Sequence, residues 1–134
     1  MDFGSIMIAV VAAGIGGFVT GAVWYTVLSK PWMAASGVSE EDAKPTPFLM
    51  INALICQFVM AFVLVGIIWH LNKGEGDIQD ALITGAFCWL GFVLTTQMVN
   101  HRFQGRPWSL TFIDCGHWLA VLLVQSLIIG FVGS

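Results

Sequence analysis

The sequence predicts an all-α fold, a bundle of four transmembrane helices with both termini on the non-cytoplasmic side of the membrane. Of the 134 residues, 57% are hydrophobic and only 10% are charged, whereas roughly a quarter of the residues in an average soluble domain are charged. The apolar residues fall into four long segments, and most basic residues fall between alternate segments. Because this composition cannot supply a polar surface, the chain is expected to lie in a lipid bilayer.

The four apolar segments are predicted to be helices at residues 6–28, 48–71, 81–99 and 110–132. Each contains roughly 20 residues, enough at a rise of ~1.5 Å per residue to cross a hydrocarbon layer ~30 Å thick. A cleaved signal peptide is the alternative for the first segment. Its short front carries Asp2 and no basic residue, so we expect the segment to be retained. Residues 1–134 are then a single domain.

Orientation follows from the basic residues, which favour cytoplasmic loops. Lys30 and Lys44 lie between the first two segments, and Arg102 and Arg106 lie between the last two. The opposite side holds Lys73 alone among the five Lys and Arg residues. Both termini are therefore expected outside the cytoplasm.

The first loop contains signals for a short interfacial helix. Pro31 suits the first turn of a helix and Gly37 suits its end, which places Trp32 and Met33 on an amphipathic piece at the membrane surface. Trp24 is expected in the aromatic belt on the same cytoplasmic side.

Several function classes receive no support from the composition. Five basic residues form no patch, so a nucleic-acid partner is not expected. The three cysteines, Cys56, Cys88 and Cys115, lie inside apolar segments without paired spacing, which is typical of packing residues rather than disulfides. No Gly-rich phosphate loop, CxxC or HExxH motif is present, so no cofactor is predicted. An enzyme is the less favoured class.

Small residues form strips on two of the predicted helices, because residues three or four apart share a helix face. The first strip consists of Gly14, Gly17 and Gly21. The second consists of Thr84, Cys88, Gly91 and Thr95. Such strips permit close backbone approach in membranes. They predict helix packing within the chain or, alternatively, an interface of a homo-oligomer.

Polar residues within the last segment mark the candidate site. Asp114, His117 and Gln125 lie within one face of the predicted helix, and ionisable groups inside a span are costly enough to suggest a role. Residues on other helices are expected at a comparable depth on the cytoplasmic side, namely Tyr25, Asn52 and Thr95. The sequence therefore predicts that four helices converge on one polar cluster.

Three interpretations of this cluster remain open. In the first, the cluster is purely structural, with Asp114 and His117 bonded to each other, to Asn52 or to water, as in a structural or partner-binding subunit. In the second, which is the leading function, the cluster binds or passes a small polar solute or a proton. A metal-assisted membrane enzyme is the alternative. Asp114, His117 and Cys115 are weak metal candidates, because a site would need His101 or Cys56 from another helix. His101 by itself is expected to be a solvated interfacial residue.

A further indication comes from the run that begins at Gly21 with Gly-Ala-Val-Trp-Tyr and continues through Pro31-Trp-Met to Glu40-Glu-Asp. This run resembles the signature of a family of small bacterial membrane proteins catalogued as domain of unknown function 1761. The resemblance extends over nearly the whole chain and includes a histidine in the last segment, here His117. It implies four membrane helices and a location in a bacterial cytoplasmic (inner) membrane, and it implies no established activity.

The topology can be tested by labelling single cysteines with a membrane-impermeant reagent in a variant that lacks the native cysteines. We expect a cysteine at Ser134 to react from outside and a cysteine at Ser36 to be protected. This expectation follows from the bias of Lys and Arg towards one side. Labelling at Ser36 but not at Ser134 would reverse the orientation.

Overall fold

In a computed structural model, which describes residues 2–73 and 77–133, these residues form helices and no strands. The α-helices are α1 (Phe3–Val27), α2 (Ser29–Ser36), α3 (Pro47–Leu71), α4 (Ile78–Cys88), α5 (Thr95–Phe103) and α6 (Trp108–Gly133). A π-helical segment, Trp89–Leu94, joins α4 to α5, and together these form the third span, Ile78–Phe103. Four helices long and apolar enough to cross a membrane are thus present, as predicted.

The spans begin earlier than their apolar runs because side chains cap them. Asp2 Oδ1 accepts the backbone N–H of Ser5 at 2.7 Å at the start of α1. This bond holds the pKa of the Asp2 carboxyl below its usual value. Asp77 Oδ1 accepts the N–H of Asp80 at 2.9 Å at the start of α4. Each cap satisfies a backbone donor that the first helical turn leaves unpaired.

The first loop contains the short helix that the sequence predicts. Helix α2 ends at Gly37, whose φ of 75° lies in the left-handed region that favours glycine. Ser36 is only 7% exposed, whereas Glu40 in the same loop is exposed. Glu40 is therefore the better position for the labelling experiment. Ser134 lies outside the described residues.

Helix α6 has a central position in the bundle. It packs against α1 and α4, while α3 packs mainly against α1. In the most apolar stretch of α6, 44% of the residues are buried, compared with 11% in the third span. The π segment and α5 contact α6 but neither α1 nor α3. The third span is therefore held largely by α6.

The apolar core lies in the half of the bundle that contains the chain termini. It combines the beginning of α1, the end of α3, the beginning of α4 and the end of α6. Its buried members are Ala9, Val10, Ala13, Ala61, Leu64, Val65, Ile68, Ala81, Leu122 and Ile129. The other half of the bundle, next to α2 and the turn between α5 and α6, contains most of the interhelical polar contacts.

The glycine strip of α1 makes room for side chains of α3 and α6. A Cβ on Gly14 would overlap the ring of Phe58, and one on Gly17 would overlap Gln57 Oε1. A Cβ on Gly21 would lie 2.8 Å from His117 Nε2. The strip therefore faces this chain's own neighbouring helices.

The third span departs from the straight α-helix expected at residues 81–99. Of the strip predicted there, Thr84 is buried and Cys88 is half-buried, but Gly91 and Thr95 are exposed. Nothing lies within 4 Å of a Cβ built on Gly91. A π segment contains about one more residue than the α-helical turns that it replaces, so the strip is displaced by roughly 100° beyond it. The expected packing of Gly91 and Thr95 within the chain is therefore wrong. Contact with a second copy stays a prediction.

The packing role of the α1 glycines can be tested with Gly17→Ala. We expect a loss of about 1–3 kcal/mol in the free energy of unfolding, because the added methyl group displaces the Gln57 amide from a packed contact. Reversible unfolding in mixed micelles would measure it. The matched control is Gly66→Ala in α3, since a Cβ at Gly66 meets nothing within 4 Å. Equal stability of the two variants would contradict the close contact at Gly17.

Candidate functional site

Asp114 joins three of the helices at the polar end of the bundle. The Tyr25 hydroxyl of α1 donates a hydrogen bond to Asp114 Oδ1 at 2.7 Å. His101 Nε2 of α5 lies 3.7 Å from Asp114 Oδ2. The side chains of Asp114 and His101 are 19% and 12% exposed. A mostly enclosed carboxylate therefore faces a phenol on one side and an imidazole on the other.

The other ring nitrogen of His101 is held by Thr111. His101 Nδ1 lies 2.8 Å from Thr111 Oγ1, which also accepts a hydrogen bond from Arg102 Nη2 at 2.7 Å. Because the guanidinium only donates, the hydroxyl hydrogen of Thr111 is free to point at His101 Nδ1. With that hydroxyl donating to Nδ1, a neutral His101 carries its ring proton on Nε2, and at 3.7 Å from Asp114 Oδ2 this nitrogen is within ion-pair distance but beyond hydrogen-bond distance.

Arg102 is fixed by its surroundings as well as by Thr111. Its Nη2 also donates to the carbonyl oxygen of Pro107 at 3.2 Å. The guanidinium carbon lies 3.7 Å from the centroid of the Trp108 ring, in a cation–π arrangement. This contact places a fixed positive charge at the edge of the site, adjacent to His101 in sequence.

His117 lies beside Asp114 without bonding to it. Its ring is 5% exposed and lies between the ring of Tyr25, with centroids 4.7 Å apart, and that of Trp118, with centroids 4.5 Å apart. His117 Nδ1 is buried and has no hydrogen-bond partner among the described residues. Asp114 and His117 therefore both contact Tyr25, and among these residues no hydrogen bond joins the two directly. Of the partners that the structural interpretation leaves open for Asp114, the His117 side chain is not bonded to it in the described part of the chain.

Gln125 belongs to a separate polar contact deeper in the bundle. It is fully buried, and its Nε2 donates to Gln57 Oε1 at 2.8 Å. Gly17 of α1 allows this pair to approach the backbone. Gln125 follows Asp114 by eleven residues, about 16 Å along the helix. The single cluster expected from the sequence is therefore two polar sites at different depths.

Two predicted members lie outside both polar sites. Asn52 is exposed on α3, and α3 does not contact α5. Thr95 is exposed, and its hydroxyl donates to the Gly91 carbonyl oxygen of its own helix at 2.8 Å. The π segment is the physical reason for the outward position of Thr95. The expectation that these residues share a cluster with Asp114 is wrong.

Sequence reasoning missed the contribution of the turn between α5 and α6. His101 is not a solvated interfacial histidine, since Thr111 and Asp114 enclose it. Its position at the end of an apolar segment concealed this contact. The sequence did contain a signal for this contact. Only a short turn separates His101 and Arg102 from the start of the last segment, so the first turns of α6 lie close to both side chains.

Two tryptophans also contact α6. One of them, Trp24, was expected only in the interfacial aromatic belt. Trp24 Nε1 donates to the carbonyl oxygen of Ile113 at 3.0 Å, and Trp89 Nε1 donates to that of Cys115 at 2.8 Å. Both carbonyls flank Asp114 in sequence. The indoles thus fix the rotation of α6 at the candidate site.

The weak metal candidates do not assemble with a third ligand. The described residues contain no group of three or more His, Cys, Asp or Glu side chains able to hold a metal ion. Cys115 is 3% exposed within the packed face of α6.

Comparison with known proteins identifies the family. The chain belongs to the family described as "Protein of unknown function (DUF1761)", whose model matches residues 8–130. The resemblance of the Trp24 to Glu41 stretch to that family is therefore confirmed. No curated protein and no solved structure matches the chain.

Proposed function

We propose that this family member is an integral membrane protein that binds a proton at the pair formed by Asp114 and His101, with His101 in the role expected of His117, and exchanges it with the cytoplasmic side. The observation that carries this proposal is the 3.7 Å approach of His101 Nε2 to Asp114 Oδ2 in a largely enclosed position. Carboxylate and imidazole groups inside membrane spans frequently serve in proton relays.

The depth of Asp114 supports exchange with one side of the membrane. It is the seventh residue of α6, about 9 Å from the start of the helix. A helix of 26 residues exceeds the ~30 Å hydrocarbon layer by several ångströms, so Asp114 lies shallowly inside that layer. A proton has a short path to it from the side on which Arg102 and Arg106 lie.

The function predicted from the sequence includes binding of a small polar solute or of a proton. The size of the site favours the proton. A separation of 3.7 Å between two heavy atoms leaves no room for a molecule between them. Tyr25 and Thr111 occupy the remaining approaches to the carboxylate and the imidazole. A polar solute larger than a proton would have to displace one of these contacts.

A structural role is the second candidate, and one observation favours it. The indoles of Trp24 and Trp89 hold α6 at carbonyls on either side of Asp114. In this role Asp114 fixes the rotation of α6 through Tyr25 and His101, and no proton is exchanged.

We also propose a bacterial cytoplasmic membrane as the location and the bilayer as the surroundings of the exposed apolar faces. The basic residues on one side of the spans support this orientation. A homo-oligomer is compatible with the exposed position of Gly91 and Thr95 on the third span.

Infrared difference spectra between about pH 5 and pH 8 test the proton site, since this range spans imidazole titration. We expect the wild-type protein to show carboxyl and imidazole bands. Asp114→Asn should remove the carboxyl band, because the amide cannot ionise. His101→Gln should reduce the imidazole signal, since two of the three histidines remain, and shift the carboxyl band.

The matched control is Asp80→Asn, the same substitution at an exposed position of α4. It should leave the bands of Asp114 and His101 unchanged. Spectra of Asp114→Asn and His101→Gln that superimpose on the wild-type spectrum would contradict proton binding and favour the structural role.

A further inference from the structure

The π segment Trp89–Leu94 decides which residues of α5 face the candidate site. Upstream of it, Thr84 and Cys88 face inward. Continued at 3.6 residues per turn, the same face would next contain Gly91 and Thr95. Within the π segment, Val93 packs against the core instead, and beyond it His101 faces Asp114. The contact between His101 and Asp114 therefore depends on the π segment.

Helix α5 is held in this rotation mainly by polar contacts. No residue of the π segment or of α5 is fully buried. Among the other spans α5 contacts α6 alone. Its polar side-chain contacts with α6 include those of His101 with Thr111 and Asp114, and those of Arg102 with Thr111 and Trp108, whereas its apolar residues Met98, Val99 and Phe103 are exposed. Little apolar packing opposes a rotation of α5.

The upstream end of the π segment is fixed while its middle is unconstrained. Trp89 is tied to α6 through the Cys115 carbonyl oxygen. Leu90 and Phe92 are exposed, and Gly91 has open space around it. A change between π and α geometry in this stretch would therefore turn α5 and move Val93 away from the core without moving α4.

We propose that the π segment is a hinge through which proton binding at Asp114 and His101 controls the rotation of α5. This inference rests on the proposed function. When the segment becomes α-helical, α5 turns by about 100°, one residue of an α-helix, and His101 leaves Asp114. The π form is stabilised by the attraction between the protonated imidazole of His101 and the carboxylate of Asp114. This attraction is lost when His101 releases its proton.

Other charged and titratable groups lie next to the pair formed by His101 and Asp114. Tyr25 of α1 donates to the carboxylate, and Arg102 on α5 shares Thr111 with His101. His117 lies on the far side of the Tyr25 ring. Among these groups, the charge on His101 acts directly on the contact between α5 and α6. A proton bound there changes the force that orients α5.

Distances between spin labels test the hinge. One label is placed at Val99, an exposed residue of α5, and the other at Phe112, an exposed residue of α6, in a variant whose native cysteines are replaced by serine. We expect two distances that differ on the order of 5 Å, since the side chains of a helix extend about 5–6 Å from its axis. Their ratio should change between about pH 5 and pH 8 with the midpoint of the infrared bands.

Deletion of one residue in the π segment provides the decisive variant. Removing Leu90 restores a continuous α-helix, yet it leaves α4 and α5 facing as they do now, because the π segment contains one residue in excess. This variant should show one distance at every pH and keep the infrared bands of the pair. Deletion of Phe92, also exposed, should give the same result and serves if the first deletion does not fold.

A control pair of labels at Val23 of α1 and Phe112 of α6 should give one distance at every pH, because only α5 turns. A wild-type distance between Val99 and Phe112 that stays constant while the infrared bands titrate would overturn the hinge and leave the proton site standing. A pH-dependent distance in both deletion variants would also overturn it. Absence of the infrared bands in the wild type would instead contradict the proposed function itself.

Discussion

The cost of leaving a polar group unpaired in hydrocarbon governs the arrangement of this bundle. Asp114, His117 and Gln125 lie on one face of α6, and each would be expensive against lipid. Helix α6 is accordingly the most buried span, enclosed by α1 and by the third span. Two of its polar side chains are bonded from different helices, Asp114 by Tyr25 and the Gln125 Nε2 by Gln57, whereas His117 is enclosed by aromatic rings and its Nδ1 has no hydrogen-bond partner among the described residues. Pairing of α6 thus determines the rotation of its neighbours.

The two halves of the bundle use different interactions. Small and branched apolar side chains fill the half near the termini, where α1, α3, α4 and α6 meet. In the other half, bulky and polar side chains replace them, and Gly21 and Gly116 give space to His117 and Trp24. Tight apolar packing resists motion, whereas α5 at the polar end has no fully buried residue. The half that contains the titratable groups is therefore the half best suited to change conformation.

Length and hydropathy were sufficient to predict the four spans, because the bilayer imposes both. Helical spacing also predicted that Gly17 and Gly21 share a face. Helical spacing failed as a guide to the third span, because the π segment interrupts the periodicity. No glycine or proline pattern in the sequence indicates this segment. Thr95 consequently faces outward, and His101 takes its place at the site. Depth was a second source of error, because residues on one helix face, such as Asp114 and Gln125, meet different neighbours along the bundle axis.

The contact between Tyr25 and Asp114 is the central link of this account, and a double-mutant cycle of Tyr25→Phe with Asp114→Ala, which removes the acceptor, measures it most directly. The free energies of unfolding should be non-additive by about 1 kcal/mol, the size of an interhelical hydrogen bond in a membrane. Asp114→Ala combined with Gln57→Leu, which acts at the separate deeper contact, should be additive within about 0.5 kcal/mol. Additive losses for Tyr25 and Asp114 would contradict the link between α1 and α6 on which the site depends.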